Sequence, residues 1–147
     1  MTIASVTIER ASQGEVDAIS RLLKQCSLPW EDVAEHLDHF LVARDGPNVI
    51  GVVGLEVRET GSLLRSLAVD ARYRGIGLGI KLSESILQHA RTLKVKTVGL
   101  LTTTAEDFFG KGGFHRVEKS AIPDFVTGSK EYRLYCPSTA VCMVKNL

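Results

Sequence analysis

Residues 69–82, VDARYRGIGLGIKL, constrain the fold more than any other stretch of this sequence. They follow SLLRSLAV, which is apolar almost throughout and is typical of a strand buried on both faces. Glycines then recur at alternate positions, 75, 77 and 79, and apolar residues step by three and four through about residue 93. The pattern predicts a buried strand, a glycine-rich corner and a helix over about residues 77–93 that crosses back over a sheet.

The glycine corner has the composition of an anion-binding site. A helix that begins near Gly77 leaves its first backbone N–H groups without intrahelical partners. Glycines let those groups approach a ligand closely, and the helix dipole adds partial positive charge. Arg72 and Arg74 add full charges. Together these features favour pyrophosphate binding over a solvated turn.

The other apolar patterns predict a single domain over residues 1–147 with the element order β-α-α-β-β-β-α-β-α-β-(α)-β. Hairpins come first and a strand–helix–strand crossover follows. The expected class is therefore α/β, with a mixed, mostly antiparallel sheet of about six or seven strands and helices on both faces. A dinucleotide-binding fold is disfavoured, since it would begin with the glycine unit and repeat it. The Walker pattern GxxxxGK[ST] is also absent.

Composition argues against several functional classes. A formal net charge of +1 disfavours nucleic acid or an anionic membrane as the main partner. The longest apolar runs are too short to span a bilayer, and the first residues lack the pattern of a secretory signal. Cys26, Cys136 and Cys142 form no CxxC pair and have no histidine at metal-ligand spacing. We therefore expect free thiols, no metal and a cytoplasmic protein.

Two segments resemble signatures of the GNAT (GCN5-related) N-acetyltransferases. RGIGLG, at positions 74–79, resembles the acetyl-coenzyme A motif R/Q-x-x-G-x-G/A. AEDFFGKGGF resembles the later helix A-x-x-x-Y-x-x-x-GF, with Ala105, Lys111, Gly113 and Phe114 in register. The element order fits along nearly the whole chain. LLRSLAV, LLTTTAEDFF and CPSTAVCMVK resemble the GNAT proteins associated with bacterial arsenic-resistance operons.

The resemblance implies that acetyl-coenzyme A is the co-substrate and lies where SLLRSLAV and VKTVGLL splay apart. Pantetheine would pair with backbone groups near Leu67 and Val69. The pyrophosphate would rest on the amides of residues 75–79, with Arg74 beside it. The implied cofactor-binding residues are Leu67, Ala68, Val69, Arg74, Gly75, Ile76, Gly77, Leu78, Gly79, Thr102, Phe108 and Lys111.

The implied reaction is direct attack of a neutral amine on the thioester. A backbone N–H near Leu67 would hold the developing oxyanion. The family's usual tyrosine acid falls at Phe109, which has no proton to give, so we expect Phe109 to wall the acyl slot. The thiolate would leave unaided or take a proton from water, with Tyr132 and Tyr135 as reserve acids. Glu56 is the candidate base, acting through water, and a solvated strand carboxylate is the equal alternative.

Arg65 interrupts an apolar strand, and a charge in such a place needs a partner. Its planar fork would suit an anionic group of the substrate, and an internal ion pair with Glu56 is the alternative. Trp30 and Ser66 complete the predicted substrate-binding set. Trp30 is expected to be a hydrophobic anchor that also lines the acceptor pocket.

The predicted function is transfer of an acetyl group from acetyl-coenzyme A to the amine of a small molecule. The acceptor would be an amino acid or an amino-acid-like, arsenic-containing toxin, and the resemblance implies a homodimer. Two alternatives stay open. One is a catalytically weak acyl-coenzyme A-binding regulatory module, which Phe109 keeps in play. The other is a protein N-acetyltransferase, which would need an open groove for an extended peptide.

Overall fold

A computed structural model of the protein describes residues 5–135 and 137–147, and Cys136 lies outside these residues. The described chain builds a seven-stranded sheet in the order β1-β2-β3-β4-β5-β7-β6. Every pairing is antiparallel except that of β4 with β5. The strands are β1 (Val6–Arg10), β2 (Phe40–Asp45), β3 (Asn48–Val57), β4 (Ser62–Val69), β5 (Thr97–Thr102), β6 (His115–Val117) and β7 (Val141–Asn146).

The described helices are mostly short, with two longer ones. They are α1 (Val16–Gln25), α2 (Val33–His36), α3 (Leu78–Thr92), α4 (Glu106–Lys111) and α5 (Asp124–Thr127), followed by one π-helical turn over Glu131–Tyr135. The predicted mixed α/β class and mostly antiparallel sheet are confirmed. The second predicted helix, over residues 30–40, is wrong in length, because the chain tightens into a 3-10 turn at Leu37–His39. The four-residue helix α5 was not predicted.

Helices cover both faces of the sheet, and the alternation of β2 shows why. Leu41 and Ala43 pack into the cluster that contains the apolar face of α3. Phe40 and Val42 pack into the opposite cluster with α1 and α2. Successive strand side chains point to opposite faces, so an uninterrupted apolar strand has to be covered twice. A third, smaller cluster places α5 against Leu63 of β4.

Strand β4 departs from a regular ladder in two ways, and both shape the site. Its register pairs Arg65 with Gly54 and Ala68 with Val52, so Ser66 and Leu67 together face one residue of β3. Ser66 takes a left-handed backbone angle, φ 61°, as part of this bulge. On the other side, parallel pairing with β5 is confined to Ser62–Val98 and Leu63–Gly99. Beyond those pairs β4 and β5 diverge and open a gap in the sheet.

Candidate active site

A cleft of about 820 Å³ fills the gap between the diverging strands. One wall is β4 from Leu64 to Val69, and the other is the end of β5 from Leu100 to Thr102. The glycine corner lies at one end of the cleft. Glu131 and Tyr135 of the π-helical turn, together with Arg65, also line it. The predicted splay of these two strands is thus present in the structure.

The glycine corner presents open backbone to the cleft. Gly75 and Gly77 have φ angles of 82° and 83°, a left-handed region that favours glycine. A Cβ atom on either residue would meet nothing within 4 Å, so both face free space. Gly77 is the N-cap of α3, and no side chain caps the helix. The first-turn N–H groups and the helix dipole are therefore available to an anion, and the corner fits a pyrophosphate.

The two arginines of the corner differ in what they bind. Arg74 is exposed, and its Nε donates to the carbonyl oxygen of Val69 at 3.1 Å, which holds it at the edge of the cleft. Arg72 instead bonds Asp70, with Nε 3.2 Å from Oδ1. The same contact, with a backbone N–H of Arg72, lowers the pKa of Asp70. Arg72 is thus occupied by its own turn, and Arg74 is the arginine that lines the cleft.

The aromatic wall of the cleft comes from α4. Phe108 and Phe109 both line it, with their rings edge to face at 5.1 Å between centroids. Phe109 is buried and also packs edge-on against Phe114. Thr102 accepts a hydrogen bond from the N–H of Ala105 at 3.0 Å, which fixes the entry to α4. Phe109 has a hydrocarbon ring, and this part of the cleft is correspondingly apolar.

The other end of the cleft contains a buried ion pair. Arg65 binds Asp32 through two parallel hydrogen bonds, 2.7 Å from Nη1 to Oδ2 and 2.5 Å from Nη2 to Oδ1. Nε of Arg65 also donates to the hydroxyl of Ser66 at 3.1 Å. Both charged side chains are almost completely buried. Burial acts to raise the pKa of Asp32, but the hydrogen bonds and charge of Arg65, with a further contribution from His36, together lower it.

The partner of Arg65 differs from the sequence-based alternative, which named Glu56. Glu56 is buried on β3, with Oε1 3.3 Å from Nε2 of His36 and 3.5 Å from Nη2 of Arg58. Asp32 precedes α2, 33 positions before Arg65. Direct binding of a substrate anion by Arg65 stays a prediction, and both terminal nitrogens of its fork now bond Asp32.

Glu131 is the second carboxylate at this end that sequence reasoning missed. It lies in the π-helical turn, lines the cleft and is buried. Among the described residues its Oε2 has no hydrogen-bond partner. Its pKa is raised to about 7, above all by burial, with Arg65 opposing the shift and Asp32 and Glu56 adding to it.

The cleft brings together most of the predicted site and leaves some of it aside. Trp30 is 37% exposed, with Nζ of Lys24 3.8 Å from its ring centroid, and it does not line the cleft. Glu56, Ile76 and Lys111 also lie outside the lining. Predicted residues that do line it are Arg65, Ser66, Leu67, Ala68, Val69, Arg74, Gly75, Gly77, Leu78, Gly79, Thr102, Phe108 and Phe109.

Comparison with known proteins identifies the family of this chain. Residues 36–116, more than half of the chain, match the family model described as an acetyltransferase (GNAT) domain. The chain belongs to the GNAT acetyltransferase family. It is therefore an acyltransferase that uses acetyl-coenzyme A as co-substrate, as the open glycine corner also indicates.

Solved structures share the fold. N-acetylglutamate synthase from Neisseria gonorrhoeae, complexed with coenzyme A and N-acetyl-glutamate, has 23% identity and a TM-score of 0.83 over 98% of this chain. This chain spans 35% of that synthase. Rv2747 from Mycobacterium tuberculosis, in complex with coenzyme A, has 24% identity and a TM-score of 0.81, covering 96% and 99% of the two chains. Naa50 from Arabidopsis thaliana, bound to a bisubstrate analogue, has 20% identity and a TM-score of 0.74, covering 98% and 100%.

Two further features of the described residues bear on the chemistry. Within 5–135 and 137–147, no group of three or more histidine, cysteine or carboxylate side chains is arranged to hold a metal ion. Over the same residues, no helix has the length and apolar character needed to cross a bilayer.

Proposed function

We propose that this GNAT acetyltransferase moves the acetyl group of acetyl-coenzyme A to the amine of a small molecule, an amino acid or an amino-acid-like compound. One observation carries the proposal. The cleft runs from the glycine corner to a buried charged cluster formed by Asp32, Arg65 and Glu131. A cofactor bound at the corner and an acceptor bound at the cluster would therefore share one cavity.

A small acceptor agrees better with this end of the cleft than an extended peptide does. Nζ of Lys130 lies 2.8 and 2.9 Å from the two carboxylate oxygens of Glu35. This pair joins α2 to the residue directly before Glu131. Exposed pairs contribute little stability, but the contact brings two chain segments together beside the charged cluster. A peptide acceptor would need an open path there.

The cofactor would be held mainly by backbone. Amides of residues 75–79 and the side chain of Arg74 would bind the pyrophosphate, and the unpaired edge of β4 from Leu67 to Val69 would bind pantetheine. When bound, acetyl-coenzyme A supplies an activated thioester.

The chain's own contribution to the reaction is placement and electrostatics. The bulge in β4 turns Ser66 and Leu67 out of the regular ladder, and we propose the Leu67 N–H as the donor to the developing oxyanion. Phe108 and Phe109 would exclude water from the acyl group. Phe109 donates no proton, so the departing thiolate, the anion of a group with pKa about 8.5, would leave without a side-chain acid from that position.

Removal of a proton from the amine is required before attack. Glu56 remains the proposed base, and it would act through water because it lies outside the cleft lining. His36, 3.3 Å from Glu56, could pass the proton on towards solvent.

Arsenic-containing amino-acid analogues belong to the acceptor class that we propose, on the basis of the sequence resemblance alone. Pairing of two chains through the C-terminal strands is proposed on the same basis.

The test is acetylation of a panel of amino acids and their analogues, including arsenic-containing ones, with product detection by mass spectrometry. We expect an N-acetyl product from at least one free amino acid or close analogue. Acetylation of peptide N-termini with no small-molecule product would favour a protein N-acetyltransferase. Tight binding of acetyl-coenzyme A without any transfer would favour the regulatory module that Phe109 keeps in play.

A further inference from the structure

We call the end of the cleft that is opposite the glycine corner, next to Asp32, Arg65 and Glu131, the acceptor end. Its charged cluster contains more buried negative charge than positive charge. Asp32, Glu56 and Glu131 are buried carboxylates, and Arg65 is the cation buried among them. His36 is partly exposed and lies 3.7 Å from Asp32 and 3.3 Å from Glu56. Arg58, also partly exposed, approaches Glu56 at 3.5 Å. Burial of a charge is unfavourable unless a partner or a ligand compensates it.

The pairing within the cluster singles out Glu131. Asp32 uses both of its oxygens on Arg65, and Oε1 of Glu56 faces His36 and Arg58. Oε2 of Glu56 has no hydrogen-bond partner among the described residues, but Glu56 does not line the cleft. Among the described residues, Oε2 of Glu131 has no hydrogen-bond partner, and Glu131 lines the cleft. An oxygen that is buried, unpartnered and placed on a cavity wall calls for a donor from a ligand.

We infer that Glu131 binds the ammonium group of the acceptor as it arrives, before that group loses the proton that attack requires, and thereby selects cationic amines over anions at this end of the cleft. The inference rests on the proposed function and names a recognition residue for it. It also reassigns Arg65: its terminal nitrogens bond Asp32 and its Nε bonds Ser66, so Arg65 fixes the position of these two side chains. Glu131 interacts with Arg65 through charge, and it is the carboxylate of the cluster that lines the cleft.

An ammonium group suits this site chemically. It offers three N–H donors and one positive charge, which would satisfy the unbonded oxygen and offset the excess of carboxylates. A carboxylate ligand would instead approach Glu131 as a like charge. The pKa of Glu131 is raised to about 7, because burial and the charges of Asp32 and Glu56 outweigh the attraction of Arg65.

The first experiment measures affinity for a matched pair of probes, n-propylammonium and propionate, by calorimetry on the whole chain saturated with coenzyme A. We expect propylammonium to bind at least tenfold more tightly than propionate. Glu131→Gln, which keeps the shape of the side chain, should weaken propylammonium at least tenfold. Glu84→Gln, a change of an exposed carboxylate on α3, should leave both affinities unchanged.

The second experiment repeats the propylammonium titration at pH 6 and pH 8, since the probe stays cationic throughout. Glu131 with a pKa of about 7 is mostly protonated at pH 6 and mostly ionised at pH 8, so affinity should rise by roughly tenfold. The groups whose charges act on it are Arg65, Asp32 and Glu56. His36 lies beside Asp32 and Glu56, so His36→Gln serves as the control. The pH effect should survive in His36→Gln and disappear in Glu131→Gln.

The outcomes separate cleanly. Equal or tighter binding of propionate, no binding of either probe, or unchanged propylammonium affinity in Glu131→Gln would each overturn the inference. Should Glu131→Gln fail to fold, loss of the pH effect in His36→Gln would overturn it independently. Both titrations use coenzyme A without an acetyl group, so they do not depend on turnover. Absence of N-acetyl products from the amino-acid panel would count against the proposed function and leave the ammonium result standing.

Discussion

The glycine corner and the acceptor end of the same cleft present charge in opposite ways. At the corner the groups facing the cleft are backbone N–H groups of a helix start and the exposed Arg74. At the acceptor end they are buried side chains, the Asp32–Arg65 pair and Glu131, whose Oε2 has no hydrogen-bond partner among the described residues. In the absence of an anion, water can hydrogen-bond the N–H groups and the arginine of the corner, so leaving the corner empty costs little free energy. The acceptor end holds its charges away from water, so its geometry depends on mutual compensation.

This difference predicts that mutations at the two ends fail in different ways. Changes at the corner should remove cofactor binding with a limited effect on folding. Changes at the acceptor end should alter the free energy of unfolding strongly, in a direction set by whether they break or relieve a buried charge.

The largest expected effect is that of Asp32→Leu. It leaves Arg65 buried without its bidentate partner, which should lower the free energy of unfolding by about 3 kcal/mol or more. Chemical denaturation measures this directly. Lys130→Ala, which breaks the exposed pair with Glu35, should lower it by less than about 1 kcal/mol.

A double variant, Asp32→Leu with Arg65→Met, sharpens the same test. Replacing a whole buried pair by apolar side chains is often neutral, so most of the lost stability should return. If Asp32→Leu proves no more harmful than Lys130→Ala, the acceptor end is not held together by charge compensation.

Gly77→Val comes next and acts at the other end. A Cβ at this position points into the open space of the corner, and we expect the coenzyme A Kd to rise at least about 100-fold, roughly 2.7 kcal/mol. Gly46→Val is the matched control, since Gly46 also has a positive φ and an open Cβ position but lies in the β2–β3 turn. Both variants should lose similar stability through backbone strain. Equal cofactor affinity in the two would show that the corner does not hold the pyrophosphate.

The backbone conformation of the glycine corner could be predicted from the sequence because it does not depend on contacts with distant residues. Its residues are contiguous, and glycine spacing directly encodes the backbone conformation, so RGIGLG could be interpreted without knowledge of distant contacts. The sheet and the long helix α3 were predictable on similar grounds, from periodicity. The short α5 and the 3-10 end of α2 have too few residues to give a period.

The acceptor end could be predicted only in part. Arg65 in an apolar strand predicts that a carboxylate lies near it. Glu56, on the neighbouring strand, was the obvious candidate, but the partner in the structure is Asp32, directly before α2. Glu131 lies 66 positions after Arg65 in SKEYRLYCP, where the sequence predicts one or two helical turns but does not indicate which side chain faces the cleft. Side chains that converge from three distant segments give no local sequence pattern. The sequence could therefore predict that Arg65 pairs with a carboxylate, but not which carboxylate.

Glu131→Gln tests the acceptor end with a smaller effect of opposite sign. The pKa of Glu131 is about 7 in the folded protein and 4.5 ordinarily, so its favourable contribution is complete below pH 4.5 and is lost as pH rises through 7. The glutamine variant should therefore be more stable than the natural protein at pH 8, by up to about 3 kcal/mol at about 1.4 kcal/mol per pKa unit. The difference in the free energy of unfolding between the variant and the natural protein should become smaller towards pH 5.5. A variant less stable at pH 8 would mean that Glu131 has a stabilising partner and is not held for a ligand.

The smallest expected effect concerns two histidines outside the cleft, and it supplies the reference for pH. Nδ1 of His39 lies 3.1 Å from Nε2 of His89 on α3. The pKa of His89 is lowered from 6.5, first by burial and then by His39 and Arg10. A lowered pKa of this kind gives stability that is present above pH 6.5 and lost as pH falls through the folded value.

His89→Gln should thus reduce the loss of Tm between pH 7.5 and 5.5, whereas His115→Gln, at an exposed position on β6, should not. Because this response runs opposite to that of Glu131, the two variants together assign each limb of the stability–pH curve to one region. If His89→Gln leaves the loss of Tm between pH 7.5 and 5.5 unchanged, the contact between His39 and His89 does not cause that loss.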